Sequence, residues 1–253
     1  MSRDASRVRP SRLGAVLCAV ASLTAGSALA GPPFITDDPE PTWTGGWENY
    51  LYISGTNTPG TTAGQAGVEL NYGAVNNLQL SLTVPEDYVL SNGLRAGGGD
   101  LDIGAKYRFL ESAGDGWLPD AAVFPAVTVP TGAPGFGTGH ASLFIPVWLE
   151  KDFGKWSTFG GGGYDVNPGV DQRNYAFAGW AVTRSFGEHL NLGVEIYHQT
   201  PIISGGAAQT NLGFGVIYQM TKHWAVMASG GPGLERPSRS GVSAFYVSLQ
   251  FTN

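Results

Sequence analysis

After Gly31 one pattern dominates the chain: apolar side chains recur at every second position over runs of eight to twelve residues, separated by clusters of Gly, Pro, Asn and Ser. In the last run, "SAFYVSLQFTN", Phe245, Val247, Leu249 and Phe251 alternate with Tyr246, Ser248 and Gln250. Successive side chains of a strand point to opposite faces, so each such run is a strand with one apolar face. No capped run of helical period follows Gly31, and 38 glycines weigh against long helices. The pattern predicts twelve strands: Gly46 to Gly55, Gly67 to Ala74, Asn77 to Val84, Gly99 to Leu110, Asp120 to Pro130, Ala141 to Lys151, Lys155 to Asp165, Asn174 to Ser185, Leu190 to Gln199, Gln209 to Met220, His223 to Gly231 and Val242 to Phe251.

The connections alternate. Mostly short ones follow the even strands ("VNN", "ESAGDGWLP", "DFGK", "FGEH", "TKH"), and longer Gly- and Pro-rich ones such as "TNTPGTTAGQ", "PEDYVLSNGLRAG" and "TGAPGFGTGH" follow the odd strands. An even strand count with both termini on the short-turn side is the plan of an antiparallel transmembrane β-barrel with its turns in the periplasm. A soluble sandwich has no reason to alternate in this way.

The two faces indicate which one meets lipid. One face carries Val68, Leu70, Leu80, Leu82, Ile103, Tyr107, Phe109, Ile145, Val147, Val194, Ile196, Phe214 and Val216; the other carries Glu69, Asn71, Gln79, Ser81, Thr83, Asp100, Asp102, Lys106, Arg108, Glu195, Gly213 and Gly215. Glycine packs nothing on a wet outer face but makes room inside a barrel, so the polar, Gly-rich face belongs in the lumen. Trp47, Phe109, Trp117, Trp156 and Trp224 fall beside the periplasmic strand ends, where an interfacial girdle anchors aromatic rings. About ten residues at about 3.3 Å rise, tilted about 40°, cover the ~25 Å apolar band. Pro125 and Pro146 cannot donate to a ladder and predict a bulge or kink in the fifth and sixth strands. The eighth shows no clean face, leaving Trp180 and Arg184 unassigned.

The first thirty residues, four arginines followed by an apolar run that closes on Ala28 and Ala30, read as a secretory signal peptide cleaved before Gly31. The run is too short for a spanning helix. Three segments result: 1–30 signal peptide, 31–45 a solvated N-terminal periplasmic segment, and 46–253 the barrel. Without the leader, ten bases face nineteen acids, a net charge of −9, and no cysteine remains. This acidity argues against nucleic acid as a partner. Charged residues make up 13% of the chain, below the roughly 25–35% of a soluble surface.

Several stretches resemble a known family: "PFITDDPEP" after the leader, "PTG" at Pro130, "IPVWLEKDFGKWSTFGGGGYDVNPG" from Ile145 and "LGVEIYHQT" from Leu192. They are similar to the bacterial meta-pathway phenol degradation proteins, usually called outer-membrane transporters. The resemblance implies an outer-membrane barrel and transport of aromatic or other apolar compounds, and it supplies no site residues. The final "FYVSLQF" resembles the assembly signal of outer-membrane barrels, departing from it in the trailing "TN".

Enzymatic patterns are weak. "HAS", His140 to Ser142, resembles the His-x-Ser pair of outer-membrane phospholipase A, but parity with Leu143, Ile145 and Val147 points both residues inward, away from lipid esters. Gly160 to Gly163 lacks the Lys-Ser or Lys-Thr and the helix of a phosphate-binding loop. The other histidines lack ligand spacing, so no metal, cofactor or catalytic residue is expected. Asp37, Asp38 and Glu40 read as solvated rather than as a cation site.

The candidate lumen-lining residues are Glu69, Asp100, Asp102, Lys106, Arg108 and Glu195. Charges withdrawn from bulk water are paired or hydrated, so these six imply either a water-filled passage or ion pairs across a plugged interior. The resulting reading is a passive channel for small-molecule solutes, bounded by outer-membrane lipid in the cell outer membrane. The alternatives are a lipid hydrolase, a structural barrel or a soluble exported β-protein. Four acids against two bases give an open lumen a modest cation preference.

Overall fold

A computed structural model describes residues 33–112, 116–235 and 242–253. The leader expected over residues 1–30 lies outside them. The described chain is all-β: β1 (Trp47–Thr58), β2 (Thr61–Val75), β3 (Leu78–Leu90), β4 (Leu94–Gly98), β5 (Leu101–Leu110), β6 (Asp120–Val123), β7 (Ala126–Val129), β8 (Ser142–Phe153), β9 (Trp156–Val166), β10 (Tyr175–Phe186), β11 (Leu190–Gln199), β12 (Gln209–Gln219), β13 (Trp224–Pro232) and β14 (Ser243–Thr252). Every strand pairs antiparallel with its neighbours, and β1 closes on β14 from Glu48 opposite Thr252 to Asn57 opposite Ser243. A closed sheet leaves no unpaired edge, so the backbone groups of the wall are satisfied within it.

The fourteen strands make twelve staves. β4 and β5 run as one stave beside β3, where Gly99, Asp100 and Leu101 face only Val84 and Pro85, the count of a β-bulge. β6 and β7 are the halves of one stave between β5 and β8, separated at Phe124 and Pro125. The interruption inserts no residue: two residues stand against two on either side, and the register resumes unchanged. Pro125 and Pro146 remove two ladder donors at one height, while Ala105 N–H still reaches the Pro125 carbonyl at 3.0 Å and Phe124 N–H the Pro146 carbonyl at 3.2 Å. The prolines therefore thin the ladder without shifting it.

Two extracellular connections differ from the sequence reading. β1 and β2 meet in a two-residue turn at Pro59 and Gly60, where Gly60 supplies φ +82°, and the Thr-rich flanks read as loop are paired strand. Pro85 to Gly98, also read as loop, is largely a hairpin of β3 against β4. In both places the strands outrun the apolar band, so their polar side chains hide the period-two pattern.

Face parity is as predicted. Leu51, Ile53, Val68, Leu80, Ile103, Val147, Val194, Ile196, Phe214 and Val247 are exposed on the outside, while Asn71, Gln79, Ser81, Thr83, Lys106, Glu195 and Ser248 are buried. Trp47, Phe109, Trp117, Trp156 and Trp224 are exposed at the periplasmic end. The unassigned β10 resolves: Tyr175, Phe177 and Ala181 are buried inward, so Trp180 and Arg184 face outward. The Trp180 ring lies over Gly160, where an added Cβ would overlap it, and its Nε1–H donates to Thr158 Oγ1 at 2.7 Å. The "GGGG" stretch is thus continuous strand in β9.

Candidate transport lumen

The inner wall carries two chemistries. On the β1–β5 side it is polar: Gln79 Nε2–H donates to Asn71 Oδ1 at 2.9 Å and to Ser81 Oγ at 3.0 Å, and Asn71 Nδ2–H donates to Glu69 Oε1 at 2.9 Å. Across the lumen, Phe124, Trp148 and Phe177 form a buried aromatic cluster joined by Phe144 and Tyr197. Phe177 meets Trp148 edge-on at 6.1 Å and stacks on Tyr197 at 5.9 Å. The sequence reading missed this aromatic wall. Its signal is the odd-numbered set Tyr175, Phe177 and Tyr197, obscured because Trp180 supplies an aromatic of opposite parity on the same strand.

Between the two walls lies the N-terminal segment. Residues 33–45, expected to be solvated in the periplasm, cross the barrel interior before β1 begins. Phe34 is 4% exposed, Thr36 0% and Asp37 1%. The Pro33 carbonyl accepts from Ser229 Oγ on β13. Phe34 packs on Phe159, with ring centroids 6.1 Å apart, over a floor of Gly193 and Gly215, which face each other across β11 and β12. A Cβ on either glycine would lie 2.7 or 2.5 Å from Phe34 Cζ, and one on Gly179 would overlap Thr36 Oγ1. The lumen glycines make room for this segment. Ile35 packs against the aromatic cluster.

Two wall charges hold it. Glu195 accepts from Ile35 N–H at 3.1 Å and Thr36 N–H at 2.5 Å. Lys106 Nζ lies 2.9 Å from Asp37 Oδ2 and 3.7 Å from Asp38 Oδ1, and over the Phe124 ring at 5.2 Å. Farther along, Gln79 Oε1 accepts from Thr42 N–H at 2.8 Å and Thr42 Oγ1 at 2.9 Å, and Gly45 N–H reaches the Gly73 carbonyl at 2.7 Å. The segment therefore spans from the β11–β13 wall to β5 and then follows β2 and β3 to the rim. A cavity of about 280 Å³ remains on its periplasmic side, bordered by Asp37, Asp38, Glu48, Glu69, Lys106 and Phe124. Glu40 borders it too, and its carboxyl is pushed up by withdrawal from water and by Asp38.

The solvated reading of Asp37 is corrected by this geometry. Acids and prolines without periodicity read as a wet linker, whereas the burial is created by Lys106, Glu195 and glycines more than sixty residues away in the chain. Of the six candidates, Lys106 and Glu195 are brought together through residues 35–37, and Glu69 borders the cavity. Asp102 faces inward and accepts from Thr128 Oγ1 at 2.5 Å. Asp100 instead fastens the β7–β8 loop, accepting from Gly132 N–H at 2.8 Å, Thr138 N–H at 2.7 Å and Thr138 Oγ1 at 2.6 Å. Arg108 sits at the rim, donating to Asn77 Oδ1 at 3.1 Å, with Glu111 at 3.5 Å.

His140 is not positioned as a base for Ser142. Its Nε2 is 2.7 Å from Asn167 Oδ1 and its Nδ1 2.9 Å from the Thr138 carbonyl, while Ser142 opens β8 opposite Thr128.

None of the curated proteins matches the chain in sequence. Among solved structures it is similar to an outer membrane channel from Pseudomonas putida F1, at 16% identity and TM-score 0.65, over 85% of this chain and 97% of that one. It is also similar to the translocator domain of the autotransporter NalP from Neisseria meningitidis, at 12% identity and TM-score 0.50, over 94% of each chain. These likenesses are of fold. They agree with the apolar outer band and periplasmic girdle, which place the barrel in an outer membrane. The model of the family described as "Putative MetA-pathway of phenol degradation" matches residues 30–251, N-terminal segment and barrel together, and the chain belongs to that family.

Proposed function

We propose that the protein is a passive outer-membrane channel for small solutes, with residues 33–45 as the element that limits passage. The observation that carries this reading is the lumen itself: a closed wall enclosing a short non-strand segment held by side-chain contacts. A permanently filled barrel has no need of such a segment, since wall side chains alone fill small barrels. The aromatic wall at Phe124, Trp148 and Phe177, set opposite carboxylates and amides, suits solutes with an apolar or aromatic body and a polar group. The family description, which refers to phenol degradation, supports an aromatic solute, and the similar P. putida protein is an outer membrane channel. The commitment of His140 to Asn167 and Thr138 supports transport over hydrolysis.

Swelling of proteoliposomes tests the reading. Challenged with phenol, benzoate or a sugar of similar size, vesicles holding the wild-type protein should admit the aromatic solutes faster than the sugar, and deletion of residues 33–41 should raise all rates. No flux in either form would make the barrel structural.

A further inference from the structure

Arg184 lies outside the lumen and has no part in the passage. β10 turns Tyr175, Phe177 and Ala181 inward, so Arg184 faces the bilayer at the periplasmic end of the strand. Its guanidinium carbon stands 5.2 Å from the centroid of Trp156 and 4.8 Å from that of Phe186. Both rings are about half exposed, and Trp156 belongs to the girdle that marks the membrane boundary. Among the described residues no carboxylate lies within ion-pair distance of Arg184. The backbone of a second basic residue is close: Arg184 stands opposite Trp156 in the ladder, and the carbonyl of the preceding residue, exposed Lys155, accepts from Ser185 N–H at 2.9 Å. On the next strand Leu192 and Leu190, opposite Arg184 and Phe186, lead from this point along the apolar band.

An unpaired charge on the lipid face is costly at depth and is tolerated near the interface, where it reaches water or a lipid counter-charge. Stacking fixes the plane of a guanidinium, whose fork matches two phosphate oxygens at once, and an adjacent apolar wall accommodates acyl chains. We propose that Arg184, flanked by Trp156 and Phe186 and assisted by Lys155, binds the phosphodiester of a phospholipid in the periplasmic leaflet. The opening of the site toward the bilayer assigns the phosphate to a lipid rather than to a soluble anion.

Native mass spectrometry of the detergent-purified full barrel, titrated with phosphatidylglycerol, tests this. Wild-type protein should retain one lipid at least fivefold more than Arg184→Gln. Lys222→Gln, which removes a charge from the β12–β13 turn, should match wild type. Arg184→Lys should recover only part of the retention, since a point charge lacks the fork. Diacylglycerol of the same chains should not be retained, and glycerol phosphate should not compete. Equal retention by Arg184→Gln, an equal loss in Lys222→Gln, or competition by glycerol phosphate would overturn the proposal. Heat-shifted gel migration of every variant confirms a closed barrel.

Discussion

Lys106 Nζ lies 2.9 Å from the Asp37 carboxylate with both side chains almost wholly withdrawn from solvent, joining the β5 wall to the segment that fills the lumen. Removing one partner of a buried pair leaves an uncompensated charge and costs about 3–5 kcal/mol. The wall ladder is intact without the pair, so the loss falls on docking of the segment. Lys106→Gln should therefore shift it toward release. The only cysteine of the chain, Cys18, lies in the stretch expected to be a leader, and Cys18→Ser removes it if it is retained, so a thiol introduced by Thr36→Cys reports this cleanly. Labelling of that thiol by a small water-soluble reagent should rise by roughly two to three orders of magnitude when Lys106→Gln is added, each tenfold corresponding to about 1.4 kcal/mol. Combining Lys106→Gln with Asp37→Asn should give less labelling than the sum of the single effects implies.

Glu195 offers a graded version of the same test. Its carboxylate accepts from two backbone N–H groups, and a buried donor left without an acceptor costs about 1–3 kcal/mol. Glu195→Gln keeps one carbonyl oxygen, while Glu195→Ala keeps none. In the Thr36→Cys background, labelling should increase in the order Glu195 intact, Glu195→Gln, Glu195→Ala. An equal effect of the two substitutions would mean that the charge matters and the acceptor geometry does not.

The glycine floor predicts a rescue. An added Cβ at Gly215 would sit 2.5 Å from Phe34 Cζ and 3.2 Å from Pro33 Cγ, so Gly215→Ala should expel Phe34 and raise single-channel conductance. Phe34→Ala removes the clashing ring, and the pair together should conduct more nearly like wild type than Gly215→Ala alone. Additive increases in planar bilayers would show that the ring does not rest on this floor.

Much of the fold is legible in the sequence because a barrel wall obeys one rule, strict parity against lipid. Leu80, Leu82 and Ile103 stand outside and Gln79, Ser81 and Asp102 inside for that reason alone. The prolines are legible only in part: Pro125 and Pro146 each lack a donor wherever they sit, but the bulge expected there does not form, and the register runs through unshifted. The occupant of the lumen is not legible. "PFITDDPEP" has no period to read, and its burial depends on Gly193, Gly215, Lys106 and Glu195, which alternation identifies only as inward, and on Gly179, in the strand whose face alternation leaves open. A trace was present: inward glycines on two neighbouring strands, Gly193 and Gly215, leave a void that no wall side chain fills, and Lys106 and Glu195 are charges without a wall partner. Asp100 shows the complementary error, correct in parity yet spent on fastening a loop.

Ion selectivity brings these observations together. With the segment docked, Asp38 and Glu40 add to Glu69, Asp102 and Glu195, while Asp37 and Lys106 neutralise each other. Low-dielectric walls focus the field of that acidic excess on the passage, so the wild-type channel should prefer cations. Deleting residues 33–41 removes three carboxylates, Asp37, Asp38 and Glu40, and frees the Lys106 charge to face the lumen. Conductance should then rise while cation preference falls by more than the loss of an uncharged obstruction of the same size would produce. Reversal potentials across a KCl gradient measure it. In the deletion background, Asp102→Asn with Glu69→Gln should bring the preference to or past neutrality, leaving Glu195 against Lys106. At 1 M salt, where the Debye length is about 3 Å, the differences should shrink in every form. Anion preference in the intact protein would show that solutes do not pass these carboxylates.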